Sequence, residues 1–350
     1  MVAMSGGVDS AAAAYLIKEQ GFDCAGVTMK QFSDTGDATQ QYSCSTSNDA
    51  AEAHAVAEKL GIPHEVLELS VDFNNIVVQK FIDDYLAGLT PNPCIVCNRY
   101  IKFDMLLRYA QQKGYNHIAT GHYARVELSK DGRYLLKKAA DGTKDQSYVL
   151  YNLTQSQLAH VKLPLGGLTK TQARAIAAAQ NFGNAQKSES QDICFIPDGD
   201  YAAFIENKTG QHAETGDFLD IDGNVIGQHH GQLRYTIGQR RGLGISAPQP
   251  LYVCKKDIHS NTVTLSTNDK LFAKTLTAGD INWILGDMPT ERIAVKAKTR
   301  YRQPERPASA WTRDGRLFVE FEEPQRAITP GQAVVLYDGD TVLGGGTILG

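Results

Sequence analysis

The stretch that decides the fold is Val2-Ala3-Met4-Ser5-Gly6-Gly7-Val8-Asp9-Ser10. Val2, Ala3 and Met4 read as the end of a buried strand, and a Ser-Gly-Gly turn follows. Ala11 to Ala14, then Tyr15-Leu16-Ile17-Lys18, open a helix of high propensity. Strand, glycine turn and helix N-terminus in this order form an anion site. The first helical N–H groups have no intrahelical partner, and the helix dipole favours negative charge there. Gly6 and Gly7 let the backbone close on a phosphate with no Cβ in the way, and Ser5 and Ser10 add hydroxyl donors. Ala3, Met4, Ser5, Gly6, Gly7, Val8, Asp9 and Ser10 are therefore the candidate phosphate-binding residues. The Gly-Lys-Ser/Thr ending of a Walker A loop is absent.

Outward from this loop, strand and helix patterns alternate as far as about Gly121. Asp23 to Met29 and His64 to Leu69 read as strands, and His117-Ile118-Ala119-Thr120 as a fourth, ending at Gly121-His122. Between them, helices are expected from Asn48-Asp49 to Leu60, from about Phe73 to Leu86, and from Asn98 to Lys113, with Gln31 to Thr46 polar and turn-like. The pattern predicts an α/β fold with a doubly wound parallel sheet. Ligands of such sheets sit at the carboxyl ends of the strands, which adds Gly121 and Met29, the latter as an adenine contact. Arg125 to Lys138 reads as a hairpin around Asp131-Gly132. Thr154 and Thr169 each read as the cap of a helix.

From about Tyr201 the composition shifts toward Gly, Thr and Val, with strand signals at short spacing and a tight hairpin at Asp217 to Gly227. The expected organisation is a catalytic domain over 1–205, a central β-rich module over 206–270 and a C-terminal β-barrel of short strands over 271–350. The 350 residues suffice for two or three domains, and 42% hydrophobic content is that of a globular chain. No apolar run reaches membrane-spanning length and no leader precedes the first loop, so a cytoplasmic protein with no membrane partner is expected. Net charge is −4, but residues 228–306 hold 13 Lys+Arg against 6 Asp+Glu, a local +7 that leaves −11 elsewhere. A basic module on an acidic one points to an anionic partner for the second part.

The other informative stretch is Thr90-Pro91-Asn92-Pro93-Cys94-Ile95-Val96-Cys97-Asn98. Two prolines stiffen a loop that leads into a helix, placing Cys97 at or near a helix N-terminus, where the dipole favours the thiolate. A structural zinc site needs four ligands, and no second Cys-x-x-Cys exists. On its residues alone the pair is equally readable as catalytic or structural. Cys194, in Ser188-Glu189-Ser190-Gln191-Asp192-Ile193-Cys194-Phe195, is by itself equally readable as a buried structural cysteine.

Together these residues carry a resemblance. The first loop is similar to the pyrophosphate loop of ATP pyrophosphatases, which split ATP between its α and β phosphates. Thr90 to Phe103, Ala119 to Arg125, Lys144 to Tyr148 and Ser190 to Phe195 resemble the bacterial tRNA-specific 2-thiouridylases. So do His230 to Gly244, Arg300-Tyr301 and Pro330-Gly331-Gln332. The resemblance implies ATP with Mg²⁺, adenylation of the C2 oxygen of a tRNA wobble uridine, and replacement of that oxygen by sulfur. The sulfur would come from a cysteine desulfurase or a sulfur-relay protein. By position Cys194 would carry the persulfide. Cys97 would either attack the activated base or release sulfide by pairing with Cys194. Asn92, Pro93 and Cys94 would meet the target base, and His122, Lys144, Asp145, Gln146, Arg300, Tyr301 and Gln332 the anticodon region of the tRNA. Cys94 stands where many members have Asp. Cys94, Cys97 and Cys194 could therefore instead ligate an iron–sulfur cluster. A ligase of the same superfamily acting on a small molecule and a non-catalytic RNA-binding module are competing readings. Arg234, Arg240, Arg241 and Arg302 are further candidate phosphate contacts.

Overall fold

The computed structural model describes residues 1–32, 47–183 and 193–350. Cys44, most of the polar Gln31–Thr46 segment and Ser188 to Asp192 lie outside the described residues.

The first part is built on strands β1 (Val2–Ala3), β2 (Gly26–Lys30), β3 (His64–Glu68) and β4 (Ile118–Ala119), a hairpin of β5 (Ala124–Leu128) and β6 (Tyr134–Lys138), and β7 (Val161–Lys162). The parallel sheet has the order β3-β2-β1-β4-β7. β7 is a fifth strand that sequence patterning does not reveal, because Val161–Lys162 lacks the apolar run ended by a glycine turn that marks the equally short β1 and β4. Chain crossovers leave β1 in opposite directions toward β2 and β4, so the crevice at their carboxyl ends is a topological switch point. That crevice holds Met4 to Ser10 and Gly121.

Both faces of the sheet are covered, which is why its central strands read as apolar runs rather than alternations. On one face lies helix α1 (Val8–Glu19), whose Ala11, Ala12, Ala13 and Ala14 are all buried. Four small side chains let the first half of this helix be enclosed, while Lys18 and Glu19 at its end are exposed. The other face meets two long helical runs. One is Ser70–Phe73, continuing through a π-helical turn at Asn74–Val78 into Gln79–Leu86. The second begins at Pro93–Val96, passes through a π-helical stretch at Cys97–Met105 and ends at Leu106–Gln112. It starts five residues before the expected Asn98, because Asn92 caps it and Pro93 is tolerated at the first helical position. Phe73, Phe81, Ile101, Phe103 and Leu106, all nearly solvent-free, form the core between these helices and the sheet. Thr154 and Thr169 cap their helices with reciprocal capping boxes, as expected.

The second part opens with a helix, Tyr201–Thr209, rather than a strand. Four strands follow, β8 (Gly216–Leu219), β9 (Val225–His229), β10 (Tyr252–Asp257) and β11 (Thr262–Ser266), ordered β10-β11-β8-β9 around Phe218, Tyr235 and Val253.

The third part is a closed six-stranded barrel. Strands β12 (Phe272–Trp283), β13 (Ile293–Lys298), β14 (Arg306–Arg313), β15 (Arg316–Arg326), β16 (Ala333–Asp338) and β17 (Thr341–Ile348) pair in the order β12-β15-β14-β13-β16-β17, and β17 returns to β12. Two strands are longer than expected, with 12 residues in β12 and 11 in β15, and register shifts interrupt their pairing.

The barrel is docked on the first part. The β5–β6 hairpin extends its sheet, with Lys137 paired to Thr341 of β17. Arg125 and Lys138 form ion pairs to Asp340 and Glu305 at 2.6 and 2.7 Å. Asn282 Nδ2 donates to the carbonyls of Tyr151 and Leu153. Ala333, Val335, Tyr337 and Val342 of the barrel join the same core as Phe81 and Phe103. No helix among the described residues is long and apolar enough to cross a membrane.

Candidate active site

The phosphate loop is held open by its own bonds. Gly7 is the N-cap of α1 and supplies no side-chain cap, so the first helical N–H groups face the crevice. Ser10 Oγ donates to the Gly7 carbonyl at 2.9 Å and accepts from the Ser5 N–H at 3.1 Å, drawing the turn into a ring. Gly6 has φ +70°, and a Cβ there would lie 2.6 Å from the Asp49 carbonyl oxygen. A Cβ on Gly121 would lie 2.9 Å from the Asp9 carbonyl carbon. Both glycines are thus required by close backbone approach around the loop. On the strand side, the hydroxyl of buried Thr28 donates to the Met4 carbonyl at 2.8 Å and meets His64 Nε2 at 2.9 Å. Met29, also buried, points from the neighbouring end of β2.

Asp9 is anchored by two residues that sequence reasoning missed. Lys170 Nζ lies 2.8 and 2.7 Å from its two carboxylate oxygens, and the Tyr123 hydroxyl donates to Oδ1 at 2.7 Å. Lys170 is only 9% exposed. It follows the Thr169 cap directly, in the first turn of a helix, where the dipole disfavours a cation. A lysine at such a position calls for a nearby anion, and that is the signal the sequence carried.

Cys97 lies near the end of β2, the strand beside β1. Gln31, just past β2, donates from Nε2 to Cys97 Sγ at 3.7 Å, and both residues are buried. Asn92 Oδ1 accepts the Cys94 N–H at 3.2 Å, so Cys94 occupies the first helical turn and is exposed, while Cys97 lies a turn deeper than expected. Cys194 is half-buried and packs against the cluster that contains Cys97. Its neighbours Phe195 and Ile196 are 2% and 1% exposed, with Phe195 set edge-on to Phe73 and Phe81. The chain is therefore pinned immediately after Cys194.

Models of three families match the chain end to end. A tRNA methyl transferase HUP domain covers residues 1–198, a tRNA methyl transferase PRC-barrel domain 202–267, and an aminomethyltransferase beta-barrel domain 273–348. Full-length relatives are more specific. The chain is 47% identical over 352 residues to the tRNA-specific 2-thiouridylase MnmA of Acetivibrio thermocellus, covering 99% of this chain and 98% of the relative. A protein of the same name from Clostridioides difficile is 46% identical, with 99% and 97% covered. One from Caldanaerobacter subterraneus is 49% identical, again with 99% and 97% covered. The chain belongs to the tRNA-specific 2-thiouridylase family. Relatives of this name along the whole chain disfavour the small-molecule ligase and the non-catalytic RNA module.

An iron–sulfur cluster does not fit the residues of this 2-thiouridylase family member. Among the described residues no three His, Cys, Asp or Glu side chains are grouped to hold a metal ion, and Cys94 faces solvent while Cys97 is buried.

The RNA candidates divide into two sets. Arg240, Arg241 and Arg302 are exposed and make no ion pair among the described residues. Tyr301 is exposed beside Lys298, whose ammonium sits 5.6 Å from its ring centre. Others have partners within the chain. Arg300 donates to the Ile237 and Ala327 carbonyls at 3.0 and 3.1 Å and to the Thr329 hydroxyl. Arg234 pairs with Glu206 at 3.2 Å. Gln332 Nε2 donates to the Thr90 carbonyl at 2.7 Å. Asp145 accepts from Ala139, Ser147 N–H and the Ser147 hydroxyl, and Gln146 Oε1 accepts the Tyr123 N–H at 2.8 Å. Lys144 is half-buried in the same turn. His122 Nδ1 meets the Thr120 hydroxyl at 2.8 Å, and burial, with Lys102 nearby, lowers its pKa to about 3. The 144–146 turn and His122 thus lie beside the Asp9 anchor.

Proposed function

We propose that this chain is an ATP-dependent tRNA 2-thiouridylase that exchanges the C2 oxygen of a wobble uridine for sulfur. One observation supports the reading: the uncapped helix N-terminus behind Ser5 to Ser10 follows β1, and the Cys97 thiol is bonded by Gln31 just past the end of the adjacent β2. A phosphate site next to a thiol suits activation of an oxygen followed by its displacement by sulfur. A transferase of methyl groups, the wording attached to the family models, has no use for that pairing.

In the proposed sequence the uridine C2 oxygen attacks the α-phosphorus of ATP, and pyrophosphate leaves. The helix N-terminus and loop N–H groups take up the charge on the departing phosphates. Because Asp9 is already bound by Lys170 and Tyr123, its role is to fix the loop, and the magnesium travels with the phosphates of ATP. The terminal sulfur of a Cys194 persulfide, loaded by a desulfurase or relay protein, then attacks C2. The C2–O bond breaks and AMP leaves. Cys97 thiolate attacks the Cys194 sulfur, freeing the 2-thiouridine and leaving a disulfide that an external thiol reduces before the next turnover. Gln31, donating to Cys97 Sγ, fixes where that sulfur stands. Asn92, Pro93 and Cys94 border the target base. The exposed Arg240, Arg241 and Arg302 take phosphates, and Tyr301 offers a ring for stacking.

Pyrophosphate release measured with and without unmodified tRNA tests the reading. Release that depends on tRNA supports it. Equal release without RNA, or none with it, rejects it.

A further inference from the structure

A run of hydrogen bonds crosses the parallel sheet into the phosphate loop, and each donor in it has one hydrogen to give. The Thr28 hydroxyl donates to the Met4 carbonyl at 2.8 Å, and its oxygen lies 2.9 Å from His64 Nε2. With that hydrogen spent on Met4, Thr28 can only accept from the ring, so His64 Nε2 carries a proton and donates it. The Met4 carbonyl and the Ser5 N–H belong to one planar peptide and point opposite ways. The Ser5 N–H donates to Ser10 Oγ at 3.1 Å, and Ser10 Oγ donates to the Gly7 carbonyl at 2.9 Å. The direction is therefore the same at every step, from His64 on β3 through Thr28 on β2 to the peptide after β1 and the first turn of α1. The strand register builds this crossing. Gly26 pairs with both Val2 and His64, which brings Met4 level with Thr28. A Cβ on Gly26 would lie 2.5 Å from Met4 Sδ and 3.0 Å from His64 Cδ2, so the missing side chain is what lets the ring lean over β2. Thr28 is fully buried, and burial, then the His54 ring 5.5 Å away, hold the His64 pKa below the ordinary 6.5. The imidazole is neutral at pH 7.5, and its single N–H is the one the relay needs.

We propose that His64 and Thr28 are positioning residues for the nucleotide loop: their relay locks the Met4–Ser5 peptide so that the loop N–H groups stand ready for the phosphates of ATP. Neither side chain touches a reacting atom. Without the Thr28 hydroxyl the Met4 carbonyl loses this donor, and the peptide can rotate and take the Ser5 N–H off Ser10. Without the His64 N–H the Thr28 hydroxyl is free to turn away from Met4. Aligned donors in a buried relay polarise one another, so the outermost member acts on the innermost bond. The edge strand β3, two strands away from the loop, is by this account part of the nucleotide site. The proposal rests on the reading of Ser5 to Ser10 as an ATP site.

Calorimetry measures the affinity of magnesium ATP for the RNA-free wild type, Thr28→Val, Thr28→Ser, His64→Leu, His64→Gln and the Thr28→Val/His64→Leu double variant. Thr28→Val should weaken ATP binding about tenfold and His64→Leu about threefold, the scale of one buried hydrogen bond lost. The double variant should bind no more weakly than Thr28→Val, because His64 acts through Thr28. Thr28→Ser and His64→Gln, which keep a hydroxyl and an N–H, should recover most of the affinity. In turnover assays KM for ATP should rise while KM for tRNA stays within about twofold. The ring itself is read in the folded wild type by ¹⁵N NMR of labelled histidines, with the His64 signal assigned by its absence from His64→Gln. A proton on Nε2 is expected. A proton on Nδ1 alone, wild-type ATP affinity in Thr28→Val and His64→Leu, or additive losses in the double variant would each overturn the proposal and leave the ATP site standing. A wild type that binds no ATP removes the site and the proposal together.

Discussion

The ammonium of Lys170 lies 2.7 Å from the carboxylate of Asp9, across 161 positions of sequence, and ties the helix Lys170–Ala179 to the phosphate loop. Lys170 is nearly enclosed, so removing it leaves Asp9 with Tyr123 as its hydroxyl partner and loosens the loop. Lys170→Met should lower adenylation of tRNA about 100-fold, the scale of losing one preorganised group at a site of developing charge. It should also cost on the order of 1–2 kcal/mol of stability, since the Asp9 carboxylate it leaves is partly exposed and keeps the Tyr123 hydroxyl. Lys170→Arg should recover part of both. Urea unfolding beside an adenylation assay measures the two effects; a wild-type adenylation rate in Lys170→Met would refute the anchoring role.

Cys97 and Cys194 share an apolar cluster, whereas Cys94 faces solvent in the first turn of its helix. Cys97→Ser and Cys194→Ser should each abolish 2-thiouridine while tRNA adenylation persists. Cys94→Asp should retain most activity. A carboxylate in a first helical turn is favourable by about 0.3–1 kcal/mol, so the variant should also unfold no more easily than wild type. Loss of all thiolation in Cys94→Asp protein would show that the Cys94 thiol takes part in the chemistry.

The two kinds of arginine make opposite predictions. Arg240 and Arg241 are exposed, and replacing either by Ala should reduce the salt dependence of tRNA affinity by about one unit of slope while leaving the melting temperature alone. Arg300 is committed to Ile237, Ala327 and Thr329, linking the central module to the barrel. Arg300→Ala should lower the melting temperature and leave the salt slope unchanged. Titrations at several salt concentrations decide it, and a reduced slope in Arg300→Ala would count against the structural role.

His122 gives a pH signature. Burial lowers its pKa to about 3 from an ordinary 6.5, so the folded protein binds this proton more weakly than the unfolded chain does. Between those values the unfolded state holds more protons, and stability falls as pH drops from 6.5 toward 3. Its contribution is complete above 6.5. His122→Gln should flatten the decline between pH 6.5 and 4, read by urea unfolding at pH 4.5 and 7.5. An identical pH slope in the variant would show that His122 is not the group responsible.

The first domain was legible because strands buried on both faces and helices with caps leave distinct patterns, and the phosphate loop was legible because glycine, serine and a helix start occur in one run. β7 was not, since Val161–Lys162 has no apolar run leading into a glycine turn of the kind that exposes the equally short β1 and β4. The barrel strands were readable as strands but not by partner. Alternation marks a buried face without naming what buries it, so the pairing of Thr341 with Lys137 and the bond from Gln332 to Thr90 had no local signature. The same holds for Arg300. Its charge suggested RNA, and only the folded chain brings three carbonyl and hydroxyl oxygens to it. The shift of the helix start to Pro93 moved Cys97 inward and Cys94 outward, a consequence of the Asn92 cap that the prolines obscured.

The most direct test of the proposed chemistry follows one oxygen atom. A tRNA anticodon stem-loop is prepared with ¹⁸O at C2 of the target uridine and incubated with the enzyme, ATP, magnesium, a persulfide donor and a thiol reductant. Mass spectrometry then reads the AMP and the nucleoside. Adenylation at C2 followed by displacement by sulfur predicts that the label leaves the RNA as 2-thiouridine forms and appears in AMP, one atom for each thiouridine. AMP without the label, or ¹⁸O retained in the RNA while thiouridine accumulates, would contradict the account.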